Sequence, residues 1–141
     1  MTGPTARPMT AADKAAVSAL REDALEAIRS ARGGRLYVPH PLPAPSDDDR
    51  PLWVGVFAGT VVGYLVASSE GTLGRVDAVY VDPGCRAVGV GTAMMAPAVA
   101  WFRSRGCEGI DALALPGARD TKNFFEETGF TARLLVMHRP L

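Results

Sequence analysis

Apolar and polar positions along this chain switch repeatedly between a helical period and a strand period. Ala16, Leu20, Ala24 and Ile28 recur every four residues, with Val17 and Leu25 on the adjoining line, so one stripe of a helix is apolar. Thr10 precedes it as an N-cap with Asp13 three residues on, and Gly33-Gly34 ends it. The period allows one long helix or two helices broken near residues 21 to 23. Residues 6 to 9 form a short strand candidate ahead of it. Leu52 to Phe57, the loop Ala58-Gly59-Thr60 and Val61 to Ser68 predict a β-hairpin. A second turn at residues 70 to 74 leads into Val76-Asp77-Ala78-Val79-Tyr80-Val81, completing a three-strand antiparallel meander. Met94, Ala98, Trp101 and Phe102 then mark a helix closed by Gly106 at C′. Pro97 within it forfeits a backbone hydrogen bond. Residues 109 to 115 predict a strand stopped by Pro116-Gly117. Asp120 is suited to cap a helix from Thr121 to Thr128 with Gly129 at C′, and residues 132 to 137 are compatible with a last strand. No repeat is visible.

Between the meander and its following helix lies Cys85-Arg86-Ala87-Val88-Gly89-Val90-Gly91-Thr92, introduced by the turn cluster Asp82-Pro83-Gly84. Glycines at a helix mouth let the backbone approach a ligand closely. The first helical N–H groups lack intrahelical partners, and the helix dipole adds positive character, so this corner is suited to an anion such as phosphate. The spacing does not fit two other phosphate motifs. A dinucleotide fingerprint wants Gly or Ala where Met94 stands, and a P-loop wants a lysine that does not follow Gly91. A third reading gives the glycines a purely geometric role in a tight strand-to-helix turn.

Composition narrows the functional classes. The 141 residues are 48% hydrophobic, enough for the core of one domain spanning residues 1–141. Formal charge is zero with acids and bases interspersed, which points away from nucleic acid and anionic lipid. The apolar runs are shorter than a membrane span, and Met1-Thr2-Gly3-Pro4 does not resemble a signal peptide. Cys85 and Cys107 are too few for a disulfide framework and lack zinc-site spacing. Cys85 lies near a helix start, a setting in which a thiol can be reactive; it also suits the turn simply as a small residue. A cytoplasmic, soluble, metal-free protein is expected. The stretch from Pro39 to Pro45, followed by Ser46-Asp47-Asp48-Asp49, is a long proline-rich then acidic loop. It is either a solvated connection or an attractor for a cationic acceptor.

The order strand, turn, Arg-x-x-Gly-x-Gly, helix resembles the pyrophosphate-binding motif of the GNAT N-acetyltransferase superfamily. Asn123-Phe124-Phe125-Glu126-Glu127-Thr128-Gly129-Phe130 is similar to that family's second hallmark, an aromatic-aromatic-Glu-x-x-Gly-Phe helix ending. The resemblance covers nearly the whole chain, least so residues 35 to 51. It implies a mixed α/β fold: a largely antiparallel sheet with one splayed parallel strand pair, flanked by helices, here with a shortened C-terminal sheet. It implies acetyl-CoA as cosubstrate, with pantetheine against the backbone of Val79 and Val81. The diphosphate then meets Arg86, Ala87, Val88, Gly89, Val90, Gly91 and Thr92. Arg86 either lends charge or shapes the loop. The Val79 N–H is the implied oxyanion donor, and Asp77, two residues earlier and expected on the same strand face, is the candidate base. Asp77 also reads as a surface or turn-pairing acid. His40 and His138 have suitable chemistry but sit in the proline loop and near the C-terminus.

Two departures from the family pattern stand out. The position that usually carries a leaving-group tyrosine is Phe125, which lines the cofactor region but donates no proton. Tyr80 is a substitute, although alternation is expected to point it away from the cleft. Only about eleven residues follow Phe130, enough for one strand rather than two, which raises the expectation of an open acceptor cleft or a homodimer that walls it. The resulting expectation is an N-acetyltransferase acting on an amine of a small molecule or peptide. The alternative is a CoA-binding sensor or partner module with little catalysis.

Overall fold

The computed structural model describes residues 3–116 and 118–141; Met1, Thr2 and Gly117, the last part of the expected Pro116-Gly117 strand stop, lie outside the described residues. A five-stranded sheet runs in the order β1 (Thr5–Pro8), β2 (Leu52–Phe57), β3 (Thr60–Glu70), β4 (Leu73–Val81) and β5 (Gly109–Ala112). The first four strands pair antiparallel and β4 pairs parallel with β5. The expected meander is present. Its first turn places both Ala58 and Gly59 at positive φ, 52° and 79°, as a two-residue hairpin with a right-handed strand twist requires.

Helix α1 (Lys14–Ser30) is continuous after a 3₁₀ turn at Ala11–Asp13, so the one-helix alternative holds. The Asp13 carboxylate accepts from the Thr10 N–H at 2.8 Å and from Arg7 at 2.6 and 3.0 Å. This anchors the helix entry to β1. Val17, Leu20 and Ala24 bury the apolar stripe, and Val17 and Leu20 pack against Leu52, Val54, Tyr64 and Val66 on one sheet face. Helix α2 (Val90–Ser104) covers the other face, where Val90, Met94, Ala98 and Phe102 meet Leu65, Ala67 and Val76. Helix α2 remains one element through Pro97 and ends as expected. Gly106 is left-handed, and the Cys107 and Gly106 N–H groups donate to the Phe102 and Arg103 carbonyls.

Three expectations fail. The strand expected over residues 109 to 115 stops at Ala112, because β4 and β5 separate beyond Val76↔Ala112 and residues 113 to 115 lose their ladder partner. Helix α3 (Arg119–Glu127) begins before Asp120, whose carboxylate lies inside the first turn and pairs with Arg86 at 3.3 Å instead of capping. Residues 132 to 137 form no strand; Leu134, Leu135, Val136 and Met137 are exposed. The Gly129 ending of α3 is as expected, with positive φ and the Phe130 N–H donating to the Phe125 carbonyl at 2.9 Å.

Candidate functional site

The separation of β4 from β5 opens a cleft of about 770 Å³. Its walls come from the second half of α1, the segment from Leu36 to Leu42, the end of β4, residues 113 to 115 and the start of α3. One residue governs its shape. Val66 faces Ala78 and Ala67 faces Val76, which leaves Asp77 without a partner as a β-bulge. The extra residue resets the alternation of side chains. Val76, Val79 and Val81 pack toward α2, whereas Ala78 and Tyr80 pack toward α1. The Asp77 carboxylate is buried on the α1 side, with the Arg50 Nε 3.7 Å away. Asp77 and Val79 therefore do not share a strand face, contrary to the simple two-residue period.

The backbone direction follows from the same ladder. The Asp82 N–H donates to the Val62 carbonyl at 2.8 Å, and the register continues as Gly63↔Val81, Tyr64↔Tyr80 and Leu65↔Val79. In an antiparallel pair, bonded and non-bonded residue pairs alternate. Tyr80 thus bonds back to β3, while the main-chain groups of Val79 and Val81 aim at the gap left by β5. The Val81 carbonyl accepts from the Arg86 Nε at 2.9 Å.

After β4, the Asp82 carboxylate accepts from the Gly84 N–H at 2.9 Å and starts a 3₁₀ turn over Pro83–Val88. Gly89 then adopts φ +89°, and the first α-helical bond of α2 runs from the Ala93 N–H to the Gly89 carbonyl at 3.0 Å. The N–H groups of Val90, Gly91 and Thr92 precede that bond, and no side chain caps this end. Ala87, Val88 and Thr92 are exposed, while Val90 is wholly buried in the core. Arg86 shapes the loop: besides the Val81 carbonyl it contacts Asp120 at 3.3 Å and lies 5.4 Å from the centre of the Tyr80 ring.

Gly91 has a different role from Gly89. A Cβ on Gly91 would sit 2.6 Å from the Phe124 Cε1, so this glycine admits the α3 ring rather than clearing space for an anion. Phe125 is buried, packs on Phe130 with ring centres 5.1 Å apart, and contributes to the cleft wall. Tyr80 faces α1, as alternation requires, yet it lines the cleft, which extends onto that sheet face. Burial raises the Tyr80 phenol above its ordinary pKa, against the opposing pull of Arg86.

The arrangement of a splayed parallel strand pair, a glycine-broken entry to α2 and an aromatic α3 ending has a match. The model of the acetyltransferase (GNAT) family fits residues 17–130. The chain belongs to the GNAT acetyltransferase family. Among solved structures sharing this GNAT fold is the tetramutant of BH1408 from Bacillus halodurans. It has a TM-score of 0.78 and 17% identity, covering 96% of this chain and 99% of that one. The aminoglycoside N-acetyltransferase AAC(6′)-Iy in complex with CoA gives 0.71 at 16% identity over 96% and 98%. Ribosomal-protein-alanine N-acetyltransferase from Brucella melitensis biovar Abortus 2308 gives 0.72 at 14% identity, covering 99% of each. No curated protein sequence matches the chain.

Several contributors to this GNAT cleft were not among the expected site residues. Arg50 donates to the Pro41 carbonyl at 3.0 Å and Arg21 to the His40 carbonyl at 2.9 Å, so two arginines strap the proline loop onto the cleft. Tyr37 and Tyr64 add phenols to its wall. The one available signal was Tyr64 itself, a hydroxyl within the otherwise aliphatic run from Val61 to Val66. The acidic run is partly structural: Asp47 accepts from the N–H groups of Asp49 and Arg50, and Asp49 pairs with Arg105 at 3.2 Å. His138 is exposed in the C-terminal segment, and Cys85 packs partly buried against the α2 core. Among the described residues, no helix is long and apolar enough to cross a membrane, and no group of three metal-binding side chains is assembled.

Proposed function

We propose that the protein is an acetyl-CoA-dependent N-acetyltransferase that passes the acetyl group directly to a primary amine of a small molecule or peptide. The observation that carries this reading is that the Val79 backbone, the buried Asp77 and Arg86 line one cleft, while the uncapped start of α2 follows a few residues beyond Arg86. The N–H groups of Val90, Gly91 and Thr92, with the turn from Arg86 to Gly89, suit a diphosphate. The outward main-chain groups of Val79 and Val81 suit the amides of a pantetheine arm, although Arg86 already occupies one side of the Val81 carbonyl. Acetyl-CoA supplies an activated thioester.

The chain's own groups then have three tasks. Asp77 holds the incoming ammonium from the α1 side and takes up its proton, directly or through a water, because only the neutral amine attacks. The Val79 N–H donates to the thioester carbonyl oxygen as negative charge develops there. Tyr80 lines the same cleft and, with its pKa raised by burial, stays protonated and able to donate. Phe125 cannot donate, and this observation favours a second reading, a CoA-binding module with little catalysis.

Mixing the protein with acetyl-CoA and an amine panel, and following free CoA, separates the two. CoA release that depends on an amine supports transfer. Saturable CoA binding without release supports the module. A ligand at a hundred times its dissociation constant stabilises by about 2.7 kcal/mol, so absence of any thermal shift with CoA or acetyl-CoA removes both. A homodimer is also proposed. The exposed run Leu134 to Met137 follows Arg133, which pairs with Asp111 on the outermost strand β5 at 2.6 Å. A strict monomer in sedimentation at working concentration overturns it.

A further inference from the structure

The α1 side of the cleft carries an arrangement that the transfer chemistry does not itself require. Val17, Leu20, Arg21, Ala24, Leu25 and Ile28 follow one helical face, and from Arg21 onward that face lines the cleft. Arg21 donates through Nη2 to the His40 carbonyl. Its Nε and Nη1 have no partner among the described residues.

Opposite, on β3, Tyr64 is 3% exposed and its ring packs with Val17 and Leu20. Its hydroxyl has no hydrogen-bond partner among the described residues. No unpartnered side-chain polar atom there is sealed from solvent, so this hydroxyl opens onto the cleft. Burial raises its pKa, keeping it a neutral O–H donor, and the charge of Arg21 acts on both Tyr64 and Tyr37. An O–H donor and a guanidinium that line the same cleft, each with unused N–H or O–H groups, want an acceptor oxygen.

The remaining charges point the same way. Four basic groups line this part of the cleft: Arg21, His40, Arg50 and Arg75. Two carboxylates do, Asp77 and Asp111. Asp77 has Arg50 3.7 Å away and Asp111 has Arg133 at 2.6 Å. Arg21 and Arg75 have no carboxylate partner among the described residues. A polycationic acceptor would meet this surplus of positive charge, whereas an anionic substituent would relieve it.

We infer that the acceptor is a primary amine that also carries a carboxylate, with the carboxylate held by the Arg21 guanidinium and the Tyr64 hydroxyl. The inference rests on the transferase reading above and narrows its substrate class. Asp77 is left to receive the ammonium end.

The test uses glycine, β-alanine, γ-aminobutyrate and 6-aminohexanoate, each beside its methyl ester and the diamine of matching length, with acetyl-CoA. In the wild-type protein at least one amino acid exceeds its ester in kcat/KM by about tenfold or more, the size of a charge-assisted hydrogen bond. The ratio of acid to ester falls toward one in Arg21→Gln, is partly kept in Arg21→Lys and drops in Tyr64→Phe. Preference for the diamines, or a ratio that Arg21→Gln does not change, overturns the proposal. If no amine releases CoA, the transferase reading fails, and binding then decides the inference by itself. Calorimetric titration of the CoA-saturated protein with the same amino acids supports it if one binds saturably in wild type and not in Arg21→Gln. Absence of saturable binding in wild type overturns it.

Discussion

Replacing Gly91 by Ala distinguishes two reasons for a glycine at the mouth of α2. The added methyl would lie 2.6 Å from the Phe124 Cε1 and 3.1 Å from its Cδ1 and Cζ. These are aromatic ring atoms, and the ring is held partly buried beside Phe125 at a centre-to-centre distance of 5.5 Å. The clash therefore has to be relieved by shifting α3 or turning Phe124 out of its packing. Over-packing of this kind costs about 1–3 kcal/mol, while Gly to Ala inside a helix returns about 0.5–1 kcal/mol. The expected net loss is about 1–2 kcal/mol, seen as a fall in Tm of roughly 3–6 °C. Thermal unfolding of the single variant, of Phe124→Ala and of the double variant tests the cause. With the ring removed, the alanine has room and its helix propensity shows, so the Gly91→Ala effect should vanish or change sign. A single variant as stable as wild type but unable to bind CoA would refute the packing argument and return Gly91 to an anion-clearing role.

Ala58 sits at φ 52°, a region that disfavours residues with a Cβ, immediately before Gly59. Ala58→Asn supplies the Asn-Gly pair that this turn prefers, with an expected gain of about 0.5–1 kcal/mol in denaturant unfolding; a loss contradicts the turn assignment. The Asp13 carboxyl is held well below its ordinary pKa, first by hydrogen bonds from Arg7 and then by the Thr10 N–H. A carboxyl depressed in the folded state contributes its full stability above the ordinary carboxylate range and loses it as pH falls through that range toward the folded value. Asp13→Asn should lower Tm at pH 7 and flatten its dependence on pH below about pH 5; a slope equal to wild type rejects the link. Phe125→Tyr places a phenol on the cleft wall. If departure of the CoA thiolate limits turnover, kcat rises by up to about 10²-fold, whereas an unchanged kcat assigns that proton to water or another group.

The parts legible in the sequence depend on neighbours close along the chain. The Thr10–Asp13 entry, the stripe from Val17 to Ile28, and the endings at Gly106 and Gly129 are each set within a few residues, and each appears where the pattern put it. The mixed α/β fold with its parallel pair was legible through the two motifs, and the family match bears out the resemblance. What escaped depends on partners remote in sequence. Residues 113 to 115 are apolar enough for a strand, but no ladder accepts them beyond Ala112. The purpose of Gly91 is a ring on α3, and the loop from Pro39 to Pro45 is fixed by arginines on α1 and before β2. Periodicity carries no record of such pairings.

The bulge at Asp77 joins these losses into one cause. Sequence alternation reads β4 as an unbroken strand, which puts Asp77 and Val79 on one face. The cross-strand register spends one residue more on β4 than on β3, and pairing with β5 ends at Val76, the residue just before the insertion. A bulge bends its strand and increases the local twist, so the same insertion accounts for the divergence from β5 and for the turn of the Asp77 carboxylate toward α1. The opening and its carboxylate are therefore not independent features. The gap receives the main-chain groups of Val79 and Val81 from one side, while the carboxylate approaches from the other sheet face. A regular β4 would remove the phase shift that separates those two approaches and leave the Asp77 carboxylate and the Val79 side chain on one face.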